Sequence, residues 1–237
     1  MKNMNDNNVI FDQRSDGLNA FFSKIYALMG AGVLVSALVS WIMITFFVDN
    51  MTAILQSGSL FFLVLWIIPL VMVVSLQGLA MKNSKMALPI FIGYAAFMGF
   101  LISFTLLMYT ATDITLAFVT AAAMFFGLSV YGRFTKRNLS AMGKAFGVAV
   151  WGLIIAMLLN LFFASSGLTI LISLVGVVIF AGLIAWDNQK ITQVYNANNG
   201  QVSDGWAISM ALSLYLDFIN MFLFLLRIFG IAGGNRD

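Results

Sequence analysis

The chain has no cysteine and no histidine, and all nine of its acidic residues are aspartate rather than glutamate. Without cysteine there is no disulfide, thiolate metal site or thiol redox chemistry. Without histidine, a Ser–His–Asp triad and His-ligated zinc are excluded. Charge is scarce as well. Charged residues make up 9% of the 237 positions, against about 25% in an ordinary soluble domain. Gly143-Lys144 has no upstream glycine at phosphate-loop spacing, and the Tyr-Asp and Gly-x-Gly-Asp patterns of aspartyl intramembrane proteases are missing. The chain therefore reads as a non-enzyme.

What is present is apolar surface, at 62% of residues. A soluble fold of this length has no use for so much, but a bilayer does, because lipid covers the outside of each helix. Seven apolar segments stand at roughly 25–47, 59–81, 87–109, 114–132, 145–163, 168–186 and 207–229. A spanning helix needs about 20 residues, and the runs are continuous rather than alternating as barrel strands would be. The expected organisation is a polar cytoplasmic tail over 1–24, a seven-helix membrane domain over 25–230 and a short C-terminal tail over 231–237. The mixed charge of residues 1–24 does not suit a cleavable signal peptide.

Orientation follows from the basic residues. With the N-terminus inside, ten of the twelve Lys and Arg side chains fall on the inner side, leaving Arg227 and Arg236 outside. That asymmetry satisfies the positive-inside rule. The net charge of +3 is thus read as topology, and no nucleic-acid partner is expected. Pro69 lies within the second segment, where a missing backbone donor predicts a kink and a possible gate hinge; Pro89 sits in a first turn, where proline is tolerated. Gly143 and Gly147 stand at the spacing that lets helices approach closely.

The last segment carries a polar stripe. At about 100° per residue, Ser209, Ser213, Asp217, Asn220 and Arg227 fall within roughly 80° of arc. Such a face belongs against other helices or a water-filled path rather than lipid. Asp217 lies mid-helix, where an aspartate costs roughly 2.5–3.5 kcal/mol on insertion scales. Two roles fit it: a polar contact between helices, or an ion or proton site.

Asp187 supplies a partner by spacing. The stretch from Asn196 to Gln201 has loop composition. If one helix continues to about 197 and the next begins near 207, both aspartates stand about ten residues from a turn centred on residue 202. Equal distance from the turn means equal depth in an antiparallel hairpin. Spacing alone also allows Asp187 to remain solvated at the inner interface. If the carboxylates meet away from water, they cannot both stay charged cheaply; they share a proton and titrate as a unit. A cation is then able to replace that proton.

The run Met210 to Asn220, followed by Leu225-Leu226-Arg227-Ile228-Phe229-Gly230, resembles the signature of the transmembrane Bax inhibitor motif family. Trp186-Asp187-Asn188-Gln189-Lys190-Ile191 resembles that family's second motif, with Asn188 where threonine is usual. The resemblance implies a central seventh helix surrounded by two groups of three, in a bacterial inner membrane with the N-terminus cytoplasmic. It also implies a pH-sensitive calcium leak gated by an aspartate pair, here Asp187 and Asp217, with weak transient Ca²⁺ binding and no resident cofactor. Ser213, Asn220, Lys82 and Arg227 are the expected supporting polar groups. Two departures stand out: Lys82 occupies the region of a family arginine without its planar fork, and the second segment lacks the acid that pairs with the C-terminal arginine. Asp49 and Asp113 are the alternative partners for Arg227. The alternative function is a regulator that binds a membrane-bound ATP-dependent protease, with residues 1–24 as the docking segment.

Overall fold

The computed structural model describes the backbone of residues 3–56 and 59–234, and side chains over 15–55 and 68–234. Lys2, Arg236 and the side chains of Asp6, Asp12 and Arg14 lie outside the described residues. Eight helices follow one another: α1 (Asn3–Phe46), α2 (Val48–Gln56), α3 (Ser59–Met81), α4 (Ala87–Leu106), α5 (Ala111–Phe134), α6 (Ser140–Phe163), α7 (Ser166–Ala197) and α8 (Asp204–Gly233). No strand occurs among the described residues. Each of the seven apolar segments falls on one of these helices.

Among the described residues, six helices are long and apolar enough to cross a bilayer: α1 from Ser15 onward, α4, α5, α6, α7 and α8. The described side chains of α3 cover only Ile68–Met81, a shorter apolar helix. The fold is therefore an all-helical membrane protein with six candidate spans. α3 runs without interruption through Pro69.

Two elements differ from the sequence expectation. α1 begins at Asn3 rather than near residue 25, and from Gly17 onward the stretch expected to be a tail is packed. Phe21, Phe22 and Ile25 are buried, Gly17 lies against the Tyr195 ring, and Phe21 packs on the same ring at 5.9 Å. The short helix α2 was not anticipated; nine mixed residues give no hydropathy signal. Asp49 sits in its first turn, where a carboxylate suits the helix dipole.

The chain forms two compact units: residues up to Leu101 with Lys190–Leu212, and Ile102–Gln189 with the chain from Ser213 onward. In the first, Ser36 Oγ donates to the Ala95 carbonyl and Ser40 Oγ to the Gly99 carbonyl, both at 2.7 Å. Each bond lies four residues beyond the other on both helices, so α1 and α4 run parallel. Gly99 lies against the Ser36 backbone, the small-residue contact that membrane helices favour. The start of α8 is tied to the turn after α3 by Gly205 N donating to Asn83 Oδ1 (3.0 Å), and to α3 itself by Ser209 Oγ donating to Gln77 Oε1 (2.6 Å). Lys24 and Asp204 form an ion pair at 2.5 Å, exposed at both ends and thus contributing about 0–1 kcal/mol.

In the second unit, Thr110 caps α5 by accepting from Asp113 N (3.2 Å) and donating to Asp113 Oδ2 (2.7 Å), a reciprocal arrangement like a capping box. α5, α6 and α7 meet where glycines leave room. A side chain at Gly132 would overlap the Ala185 carbonyl, one at Gly143 the Trp186 ring, and one at Gly182 the Phe146 ring. Gly147 has nothing near it, so only one glycine of the expected pair makes a contact.

Burial separates the helices by role. Only 6% of the most apolar window of α6 is buried, against 56% for α8. Val148, Trp151, Leu161 and Phe162 on α6 are exposed, as a lipid-facing surface would be. On α8 the consecutive residues 207–212 are all buried, which covers more than a full turn. The expectation of one polar, protein-facing stripe therefore understated the burial of this helix.

Candidate functional site

Asp187 and Asp217 are both buried, at 6% and 7% exposure, which removes the placement in which Asp187 is solvated. Their relation follows from helix geometry within the second unit. Phe180 on α7 and Phe224 on α8 stack with centroids 5.9 Å apart, and Gly176 lies against the same Phe224 ring. This contact fixes which faces meet and at what level. Asp187 comes seven residues after Phe180, and Asp217 seven before Phe224. Seven residues return a helix to within about 20° of the same direction. Both aspartates thus share the face of their stacked phenylalanine. In an antiparallel pair each then stands two turns nearer the connection than its phenylalanine.

That connection is short. α7 ends at Ala197 and α8 begins at Asp204, and the turn contains Asn199 and Gly200 at positive φ (51° and 81°), the second a conformation glycine adopts without strain. By helix rise, Asp187 lies about 15 Å and Asp217 about 20 Å from the near ends of their helices. Both are therefore well inside.

The residues around Asp187 hold α7 in place. Asn188 is fully buried; its Nδ2 donates to Ser129 Oγ on α5 (3.1 Å) and to the Ile184 carbonyl (2.8 Å). The second is the bond to the preceding turn that a threonine hydroxyl also makes, so Asn188 keeps that role and adds an interhelical one. Gln189 clips the α5–α6 loop. Its Oε1 accepts from Leu139 N (2.8 Å) and its Nε2 donates to the Arg137 carbonyl (2.7 Å). Gln189→Ala is expected to cost about 1–3 kcal/mol by leaving two backbone groups without their partner. A lower thermal midpoint of the detergent-solubilised protein, with cation flux per folded molecule retained, would show it.

The supporting residues separate. Ser213 and Asn220 flank Asp217 on the same helix and are half-buried; Asn220 Nδ2 donates to the Leu216 carbonyl (2.8 Å), leaving its amide oxygen for another partner. Lys82 is exposed in the turn after α3, within the first unit. Arg227 lies ten residues beyond Asp217, about 15 Å along α8, so it does not belong to the aspartate level. Its Nη1 lies 3.6 Å from Met157 Sδ and its Cζ 5.5 Å from the centre of the Phe224 ring. Among the described residues no carboxylate comes within 4.0 Å of it. Asp113, one of the two expected partners, is engaged by Thr110. Tyr109, in the loop between α4 and α5, feels both groups: burial raises its phenol above the usual value, Arg227 opposes this and Asp113 adds to it.

Three features escaped sequence reading. The Lys24–Asp204 pair joins residues 180 apart, and the Gln189 clip reaches across 50; neither has a local signal. The third, a cavity beside Arg227 bounded by Asn160 and Thr169, had a local trace, since those two residues flank a tight turn.

Among the described residues no cluster of three or more acidic side chains exists that would hold a metal ion firmly. What the arrangement offers is two buried carboxylates on facing stripes with an amide and a hydroxyl beside one of them.

Comparison with known proteins bears on the whole chain. The family described as inhibitor of apoptosis-promoting Bax1 matches residues 18–234. An uncharacterized protein of Lactococcus lactis subsp. lactis is 98% identical over 234 residues, covering 99% of this chain and 100% of that protein. An uncharacterized membrane protein of Streptococcus pyogenes serotype M3 is 50% identical over 227 residues, 96% and 99% of the two chains. A Borreliella burgdorferi protein is 39% identical over 215 residues, 90% and 92% of the two.

Proposed function

The chain belongs to the Bax inhibitor-like family, and from that premise we propose that it forms a passive, pH-sensitive pathway for calcium, gated by Asp187 and Asp217. The observation that supports this reading is the Phe180–Phe224 stack between α7 and α8, with Asp187 and Asp217 both buried and each seven residues nearer the connection. Two buried carboxylates facing each other hold one proton between them, because a second negative charge in a poorly solvated site is too costly. A divalent cation competes with that proton. Ca²⁺ takes six to eight oxygen ligands; the aspartates with Asn220 and Ser213 supply fewer. Binding is therefore weak enough for release, which transit requires. Ca²⁺ is cargo here, and no resident cofactor is needed.

The proposed topology has seven spans. Support for α3 as the extra one comes from the parallel run of α1 and α4. Two parallel helices crossing one bilayer need a return crossing between them. α2, with nine residues, reaches about 14 Å, while α3, with 23, reaches about 35 Å. An odd number of spans with the basic residues inside puts the N-terminus in the cytoplasm of the bacterial cell. The all-round burial of residues 207–212 in α8 supports the proposed central place of this helix.

The test is calcium efflux from loaded liposomes containing the purified full chain, followed across pH. The expected result is an efflux above that of protein-free liposomes that changes with pH. Efflux equal to the protein-free control at every pH rules out the pathway.

A further inference from the structure

At the end of the second unit away from the aspartates lies a cavity of about 180 Å³, bounded by Met157, Asn160, Leu161, Thr169, Ile172 and Arg227. We propose that it is an oxyanion site that takes the phosphate group of a membrane phospholipid. This stands apart from the aspartate pair and survives if that reading fails.

A half-buried guanidinium carries five N–H donors in a fixed fork that matches phosphate oxygens. Arg227 has one weak contact to a thioether and one aromatic face, and no carboxylate within 4.0 Å among the described residues. Even partial burial of a cation without a counter-charge is unfavourable, and no acidic residue bounds the cavity. An anion from outside the chain is the missing partner.

The polar wall suits an acceptor-rich ligand. Asn160 Nδ2 gives one hydrogen to Thr169 Oγ1 at 2.7 Å, and Asn160 Oδ1 accepts from Ser165 N at 3.2 Å. Thr169 Oγ1 donates to the Ser165 carbonyl at 3.0 Å. The amide is thereby fixed with its carbonyl turned to the turn backbone, and its second N–H remains as a donor beside Arg227.

Depth decides between a lipid and a free ion. Asn160 lies three residues from the end of α6 and Thr169 three from the start of α7, or about 5 Å from the helix ends, while Arg227 lies about 9 Å from the end of α8. The headgroup layer on each side of the hydrocarbon core is about 5–8 Å thick. The donors therefore stand at headgroup level. The rest of the wall is Met157, Leu161 and Ile172, and the adjoining Leu161, Phe162 and Phe163 are 74%, 86% and 72% exposed. An acyl chain covers such a surface; a free phosphate does not.

The experiment is native mass spectrometry of the full chain in detergent, titrated with phosphatidylglycerol, with diacylglycerol as the phosphate-free arm and inorganic phosphate as competitor. The expected result is a one-to-one phosphatidylglycerol adduct, no comparable diacylglycerol adduct, and no displacement by millimolar phosphate. Arg227→Gln should weaken the adduct about tenfold, and Arg227→Lys less, since lysine keeps the charge without the fork. Leu161→Trp, a change at an exposed position that narrows the mouth, should also weaken it and serves if Arg227→Gln does not fold. Equal phosphatidylglycerol binding by parent and Leu161→Trp, or by parent and a folded Arg227→Gln, overturns the proposal. So does displacement by inorganic phosphate, which would make this a free-anion site.

Discussion

A folded Asp217→Asn protein is expected to lose the pH response of calcium efflux while remaining in the membrane. Asparagine keeps the size and hydrogen-bonding reach of aspartate, so the packing around this buried position of α8 is little disturbed. The chemistry changes entirely. In the proposed pair the two carboxylates hold one proton between them, and the ratio of protonated to deprotonated sites changes about tenfold per pH unit. In the variant, Asp187 faces an amide donor instead of a like charge, and there is no shared proton to give up. Efflux should then differ less than about twofold between acidic and neutral conditions, where the parent changes by about tenfold or more. Retention of the parent's profile by well-folded Asp217→Asn would remove the pair from the gate.

Gly132→Val should be the most destabilising single change in the second unit. Its added side chain overlaps the Ala185 carbonyl, backbone that cannot rotate away as a side chain does. α5 and α7 must then separate, and the Ser129–Asn188 bond one turn away goes with them. Overpacking costs typically 1–3 kcal/mol, and losing a buried hydrogen bond adds about 1 kcal/mol. A total of roughly 3 kcal/mol is expected. Gly147→Val is the control: nothing stands within 4 Å of that position, so its thermal midpoint should stay near the parent's. If both variants melt alike, the close approach of α5 to α7 is not what holds this unit together.

Much of this architecture is written in the sequence in a form periodicity detects. Each apolar run became a helix, and both aspartates that the spacing placed about ten residues from one short turn are buried. Physical reasons explain the rest. Hydropathy treats a short mixed stretch as loop, so α2 is invisible, and it treats polar residues as tail, so the helical run from Asn3 is too. The burial of Phe21 includes a tertiary contact with Tyr195, which no local pattern encodes. The Gly143–Gly147 spacing pointed to a contact that only Gly143 makes, whereas Gly132, in no such motif, makes a closer approach to backbone. Arg227 fell on the same stripe as Asp217 when angle alone was considered. Adding the rise per residue separates them by about 15 Å and gives each its own surroundings.

The central claim is that Asp187 and Asp217 act as one titrating unit. It is tested most directly by calcium efflux against pH for the parent, Asp187→Asn, Asp217→Asn and the double variant, each reconstituted at equal density after size-exclusion shows it folded. The account predicts that both single variants lose the pH response and that the double variant adds nothing further, as members of one unit behave in a double-mutant cycle. Single variants that each keep a pH response, with losses that add in the double variant, would contradict it.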